Sequence, residues 1–319
     1  MIKVYCISGY LTDKSNRKIN ATCEKYGYDL TCYNNAEEAD GLVADAEVVY
    51  TTNPEILCQM KNLKWCHADS AGVNNYIATG LFDDRSIKLT NSSGAFGRAI
   101  AEHIIMVTLM LMRKMPDYQG IINDRKWKHD LPIRSIADSN IAIIGTGNLG
   151  QTAACNFKGL GAGKVIGFSR SGKVKEPFDD VYKMSGFAEN VVDTDVVVLC
   201  LPDTPETKGI FSEVRISEMP ASAYLINVGR GVTVDQEALI RALNEGRIAG
   251  AALDVVTPEP LPADHPLWTA RNCIITPHCS GDMGLEYSVD KTFELFSENL
   301  KRYAEGEELI NLVDPETGY

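Results

Sequence analysis

Basic charge is in short supply in this chain: 31 Lys and Arg stand against 43 Asp and Glu, a formal net charge of −12 over 319 residues. That balance speaks against a nucleic-acid surface and fits a soluble, cytoplasmic protein, while leaving local basic pockets open. No apolar run is long enough for a membrane-spanning helix, so no membrane association is expected. The opening MIKVYCISGY lacks the long apolar stretch of a secretory leader and reads as a first strand. The nine cysteines form no C-x-x-C pair and no His/Cys spacing of a zinc site. This argues for reduced thiols, and against a disulfide frame or a metal centre. Cys6, Cys200 and Cys273 fall in apolar strand runs and read as core. No internal repeat or low-complexity stretch stands out.

What is present is an α/β alternation, with enough hydrophobic residues (45%) for two cores. In residues 1–90 the pattern predicts strands at 2–7, 28–33, 47–51 and 63–68. It predicts helices at 14–26 and, opened by a proline, at 54–60. The loop Asp69-Ser70-Ala71-Gly72-Val73-Asn74 follows the last of these strands and offers backbone N–H groups that can hold a small carboxylate; a plain turn reads equally well. Residues 95–115 form the longest helical pattern, stopped by Pro116, with Arg98, Glu102 and His103 near its start. Its apolar stripe suits core packing or a second subunit. Residues 117–138 are polar, contain Trp127, Lys128 and His129, and read as a connection. Six strands then alternate with helices, at 140–145, 164–169, 195–201, 223–228, 249–255 and 273–276, and a last helix begins at 284. Six such strands make a doubly wound parallel sheet.

The most informative stretch is NIAIIGTGNLG. The apolar run at 141–144 leads directly into Gly145-Thr146-Gly147-Asn148-Leu149-Gly150, and a helical pattern follows. A G-x-G-x-x-G between strand and helix is where a dinucleotide pyrophosphate rests on a helix N-terminus. About 20 residues beyond such glycines an NAD site usually carries an acid for the ribose 2′-OH. Here the strand ends in Ser169, Arg170 and Ser171, with no carboxylate before Glu176. An arginine and two hydroxyls suit a 2′-phosphate, so NADP(H) is expected over NAD(H).

Ligands of such sheets bind beyond the carboxyl ends of the strands. Three ends carry candidates: Arg230 between Gly229 and Gly231, Glu259 between two prolines, and His278 after Pro277. The flanking glycines read as letting the backbone approach a ligand. Reducing a keto acid needs these parts. A histidine gives a proton to the developing alkoxide, a carboxylate keeps that imidazole protonated and oriented, and an arginine fork holds the substrate carboxylate and carbonyl. The other histidines, His67, His103, His129 and His265, have no comparable setting and read as structural.

Over nearly its whole length the chain resembles the D-isomer-specific 2-hydroxyacid dehydrogenase family. The resemblance rests on GTGNLG at 145–150, LPDTPETKGIF at 201–211, NVGRG at 227–231, LDVVTPEPL at 253–261 and TPH at 276–278. It implies that Arg230, Glu259 and His278 are catalytic, and that Asp254 accepts from the nicotinamide carboxamide. It also implies that Leu201, Pro202, Thr207 and Val228 line the cofactor, and that Ala71, Gly72 and Val73 join Arg230 and His278 in binding substrate. The implied fold is two-lobed, a doubly wound Rossmann sheet (96–282) inserted into a smaller flavodoxin-like α/β substrate lobe (1–95 and 283–319). The implied assembly is a homodimer.

Residues 118–129 resemble a segment that reaches a neighbouring active site in the glyoxylate/hydroxypyruvate reductase branch, and Ser169–Ser171 resembles that branch's NADPH-preferring members. Val256, and Cys279 with Ser280, depart from the usual family residues beside catalytic positions, which bears on substrate preference more than on the reaction. No additional C-terminal regulatory domain is expected.

The leading expectation is an NADPH-dependent reductase of glyoxylate, hydroxypyruvate or a short 2-keto acid, giving the D-2-hydroxy acid. Two alternatives differ in class. One is a dinucleotide-sensing binding protein without turnover, disfavoured by retention of all three catalytic residue types. The other is S-adenosylhomocysteine hydrolase-like chemistry, disfavoured by Arg170 and by length.

Overall fold

The computed structural model describes residues 1–84, 86–316 and 318. They form two compact units: Met1–Phe96 with Asp282–Tyr319, and Gly97–Gly281 between them in sequence. In the first unit, β1 (Lys3–Ile7), β2 (Asp29–Tyr33), β3 (Val48–Thr51), β4 (Trp65–Ala68) and β5 (Lys88–Thr90) make one parallel sheet in the order β2-β1-β3-β4-β5. That is the flavodoxin-like order. Alternate side chains leave opposite faces. Tyr5 and Ile7 join Val49, Cys66 and Ala68 on one side. Val4 and Cys6 join Val48, Tyr50 and Trp65 on the other, under α1 (Asp13–Tyr26) and the C-terminal helix Glu286–Glu305. Phe293 and Phe296 of that helix are fully buried, each worth about 1.5–3 kcal/mol of apolar burial. Helix α1 starts where the Thr12 hydroxyl accepts from Ser15 N–H, and it stops at Gly27, which takes the left-handed φ of 69° that glycine adopts most easily. Two short helices, α2 (Ala36–Ala39) and α3 (Asn74–Ile77), complete the connections.

The second unit opens with α4 (Gly97–Met112) and α5 (Met115–Asn123). Its sheet then builds from β6 (Ile141–Ile144), α6 (Asn148–Gly159), β7 (Val165–Phe168), β8 (Asp180–Tyr182), α7 (Phe187–Asn190), β9 (Val196–Leu199), α8 (Glu213–Ser217), β10 (Tyr224–Asn227), α9 (Gln236–Asn244), β11 (Gly250–Leu253) and β12 (Cys273–Ile275). Seven strands pair in parallel in the order β12-β11-β10-β9-β6-β7-β8. This is a Rossmann-like doubly wound sheet extended by one strand, and its order reverses at β6. Strands β6, β7, β9, β10 and β11 are buried at every residue, as a sheet covered on both faces requires.

Three expectations need correction. Pro116 does not simply end a helix. Helix α4 ends at Met112, Lys114 takes a left-handed φ of 57°, and Pro116 lies in the first turn of α5, where its missing N–H costs nothing. The polar segment read as a connection therefore begins within a helix, α5. The sheet has seven strands rather than six, because β8 is only three residues long and too short for periodicity to reveal. Likewise β5, also three residues long, was hidden in the polar surroundings of residues 83–93.

Candidate active site

In the second unit the carboxyl ends of β10, β11 and β12 carry the three expected side chains. His278 follows β12 with a left-handed φ of 52°, uncommon for a residue with a side chain. Its N–H donates to the carbonyl of Asp254, at 2.8 Å. The ring Nδ1 lies 2.7 Å from Glu259 Oε2, while Glu259 Oε1 accepts from Val256 N–H at 3.0 Å. Both carboxylate oxygens of Glu259 thus have work, one fixing the ring and one fixing the carboxylate itself. With Nδ1 directed to Glu259, Nε2 is the ring nitrogen left for a reacting partner.

Arg230 is half-buried at the end of β10. Its Nη1 donates to Gly229 O at 2.6 Å, and its own carbonyl accepts from Asn227 Nδ2 and Thr233 Oγ1. Burial pulls the guanidinium pKa down, opposed by the charges of Glu259 and Asp203. The glycines beside it have a different reason from the one the sequence suggested. A Cβ on Gly229 would sit 2.5 Å from Leu201 O, and one on Gly231 would collide with the Val256 carbonyl. Neighbouring protein backbone fills that space, so these glycines serve close packing of strand ends rather than approach of a ligand.

Asp254 is only 3% exposed. Its Oδ1 accepts from Thr276 Oγ1 (2.6 Å) and Cys279 N–H (3.0 Å), and its Oδ2 from Ser280 N–H (3.0 Å). Burial alone would raise its pKa, but these bonds outweigh that and hold the carboxyl below its ordinary value. The carboxylate therefore fastens the segment just after His278. His103 of α4 belongs to the same cluster, with Nε2 3.2 Å from Thr276 Oγ1 and 4.0 Å from Asp254 Oδ1. Burial lowers its pKa and the Asp254 charge opposes this. Setting His103 apart from the site is thus a correction: it lies more than 150 positions from Asp254 in sequence, and only the packing of α4 on β11 makes them neighbours. The remaining histidines differ. His67 is buried between Thr90 and Ser92, His265 caps a short helix over Leu267 N–H, and His129 is exposed.

The glycine loop after β6 divides its labour. Gly145 has φ 104°, and a Cβ there would lie 2.8 Å from Cys200 O. A Cβ on Gly150 would collide with Gly145 O, so this glycine lets α6 close on β6. Gly147 is different, because a Cβ there meets nothing within 4 Å. It precedes Asn148 at the start of α6, whose N-terminus has no side-chain cap. Leu149 turns its side chain to the core, leaving its backbone N–H as its contribution. An uncapped helix start behind an unobstructed glycine fits a dinucleotide phosphate.

Beyond β7, Ser169 Oγ accepts from Gly172 N–H (3.1 Å) and Ser171 Oγ from Lys173 N–H (3.2 Å). Arg170 is 72% exposed, with Nη1 3.7 Å from Glu206 Oε2. Thr207 Oγ1 donates to Pro202 O (2.6 Å) and receives Thr204 N–H (2.9 Å), so its hydroxyl shapes the loop that begins at Leu201. Val228 is buried at the end of β10. Among the described residues no cluster of three or more His, Cys, Asp or Glu could hold a metal.

Ala71, Gly72 and Val73 lie in the first unit, after β4. The carbonyls of Ala71 and Gly72 accept from Asn91 Nδ2 (2.9 Å) and Ser70 Oγ (2.8 Å), which fixes the loop from within its own unit. Beside them burial pushes the Asp69 carboxyl up to about 6, against the bonds it receives from Tyr76 and backbone.

Residues 105–280 match the profile of the D-isomer specific 2-hydroxyacid dehydrogenase NAD binding domain. The chain belongs to this family. Glyoxylate/hydroxypyruvate reductase A of Klebsiella pneumoniae is 30% identical over 290 residues, 88% of this chain and 89% of that one. A family member from Aeromonas salmonicida superposes with a TM-score of 0.85 at 32% identity, covering 98% and 99% of the two chains. An NADPH-dependent glyoxylate/hydroxypyruvate reductase of Sinorhizobium meliloti, solved with NADP and sulfate, superposes at 0.82 with 25% identity over 100% of both chains. As a 2-hydroxyacid dehydrogenase family member the chain is an oxidoreductase, and its second unit is the dinucleotide-binding domain. None of its described helices is long and apolar enough to cross a membrane.

Proposed function

We propose that the chain reduces a small 2-keto acid (glyoxylate, hydroxypyruvate or a short relative) to the D-2-hydroxy acid, with NADP(H) preferred over NAD(H). The observation that carries the chemistry is the 2.7 Å contact of His278 Nδ1 with Glu259, beside a half-buried Arg230 in the same unit. When bound, a reduced dinucleotide would supply the hydride for the keto carbon. His278 Nε2 delivers the proton to the carbonyl oxygen as charge develops there, and Glu259 orients the ring. Arg230 holds the substrate carboxylate and polarises the carbonyl through its fork of donors. Ala71, Gly72 and Val73 are assigned to substrate binding on the family resemblance, and Asp254 to the nicotinamide carboxamide.

The NADP preference is supported by Arg170, Ser169 and Ser171 where an NAD site would carry an acid, and by the NADP bound in the Sinorhizobium reductase. The reading includes a homodimer. Its support is the exposed apolar row Met106 and Leu109 of α4 with Met115 and Ile122 of α5, and sedimentation measures it directly.

The test is paired initial rates with NADPH and NADH on glyoxylate, hydroxypyruvate, pyruvate and 2-ketoisovalerate. NADPH preference that Arg170→Ala removes by raising the KM for NADPH alone is the expected result. NADH preference overturns the assignment of Arg170 and leaves the chemistry standing. Tight dinucleotide binding without turnover on any keto acid would replace the reductase with a sensor.

A further inference from the structure

Cys6 and Cys32 are far apart in sequence but are register partners on adjacent strands β1 and β2 of the first unit. Side chains at paired positions leave a parallel sheet on the same face. On that face Cys6 is fully buried, among Val4, Leu30 and Cys23 of α1, while Cys32 on the edge strand is exposed. A closed thiol thus adjoins an open one. The neighbouring Cys6 thiol favours a Cys32 pKa below the ordinary thiol value, and partial burial opposes this. The same contact, with burial, raises Cys6 well above that value. An exposed cysteine whose pKa is lowered, beside a buried one whose pKa is raised, is the arrangement of an attacking and a resolving cysteine.

We propose that Cys32 and Cys6 form a reversible thiol–disulfide site, in which Cys32 meets the oxidant and Cys6 resolves it. With a peroxide the Cys32 thiolate attacks one oxygen, the O–O bond breaks, hydroxide leaves, and Cys32 becomes a sulfenic acid. The Cys6 sulfur then attacks the Cys32 sulfur, the S–O bond breaks, and the S–S bond forms. The departing oxygen takes up the Cys6 proton and leaves as water. Two thiols are oxidised by two electrons and the peroxide is reduced by two. An external thiol pair reverses the change by exchange.

The backbone allows the bond and keeps it labile. Neighbouring strands run about 4.8 Å apart, inside the Cα range for a disulfide of about 4.4–6.8 Å. Parallel side chains from paired positions hold roughly that spacing, wider than the usual Cβ separation of about 3.8 Å. Closing the bond draws the strands together, and strained disulfides of this kind are the readily reduced ones. The bond would tie edge strand β2 to β1 without crossing any other element.

Four cysteines are exposed, and Cys58 and Cys155, both away from the residues assigned to catalysis, serve as internal controls. The native protein is pulsed with iodoacetamide at neutral pH, and separately with limiting hydrogen peroxide followed by thiol blocking and peptide mapping. Expected are alkylation of Cys32 several-fold faster than of Cys58 and Cys155, and a Cys6–Cys32 linked peptide that dithiothreitol removes. In Cys6→Ala the link is absent, a sulfenic acid at Cys32 is trapped by dimedone, and the rate advantage is lost. Alkylation of Cys32 no faster than the controls, or its oxidation without a link to Cys6, overturns the proposal. Both readouts on the native protein decide the matter even should the variant fail to fold.

Discussion

Replacing Asp254 by Asn tests whether this carboxylate is a structural clasp behind His278. The native carboxylate accepts three bonds: from Thr276 Oγ1, Cys279 N–H and Ser280 N–H. A carboxamide has one oxygen and two N–H donors, so it can keep the Thr276 and Cys279 pair on that oxygen but must turn its NH2 toward Ser280 N–H. A buried N–H left without an acceptor costs about 1–3 kcal/mol. The two retained bonds lose their charge assistance, about half their strength. Relief from burying a charge at a 3% exposed position offsets part of this, leaving a net loss of about 2–3 kcal/mol. For a unit of this size that is a fall in Tm of about 4–12 °C.

Calorimetry without added dinucleotide measures the fall, and hydrogen exchange at β11 and β12 locates it in the second unit. Because the folded carboxyl titrates below its unfolded value, its contribution is present above the unfolded value and vanishes as pH falls through the folded one. The gap between native and Asp254→Asn therefore narrows in acid. A Tm within 2 °C of native at neutral pH, or a gap that widens in acid, would refute the reasoning.

Three further outcomes follow from individual contacts. Gly147→Ala is expected to leave Tm unchanged while weakening dinucleotide binding, whereas Gly150→Ala lowers Tm because its methyl meets Gly145 O; titration and melting curves of both variants separate the two glycines. His278→Gln is expected to lower kcat by about 10²–10⁴-fold with dinucleotide affinity retained, and a kcat close to native removes this histidine from proton transfer. Burial pushes the His67 pKa down to about 3, so below about pH 6.5 the unfolded chain takes up a proton that the folded first unit refuses. Stability is thus lost as pH falls, at up to about 1.4 kcal/mol per pH unit. His67→Gln flattens that slope between pH 6 and 5, read from the emission of buried Trp65 in urea.

Much of the fold was legible because it rests on local patterns. Fully buried strands such as Ile141–Ile144 and Val196–Leu199 read as short apolar runs, and their alternation with helices implied a doubly wound sheet. What escaped was short or context-dependent. Strands β5 and β8 have three residues each, and Pro116 can end one helix or open the next with the same chemistry.

For the site, the sequence by itself determined the residue types and their places at strand ends: His278, Glu259, Arg230 and the glycines at 145, 147 and 150. Spacing along one chain carries that information because each βα unit returns the backbone to the same rim. The tertiary structure alone decided the pairings. It made Asp254 the clasp of residues 276–280, brought His103 to that clasp, and set Cys6 beside Cys32. It also separated glycines that look alike, since Gly229 and Gly231 face neighbouring backbone while Gly147 faces open space. Each of these facts depends on contacts between segments distant in sequence, which no local pattern encodes. Side-chain chemistry is written residue by residue, but the partner that completes it is chosen by packing.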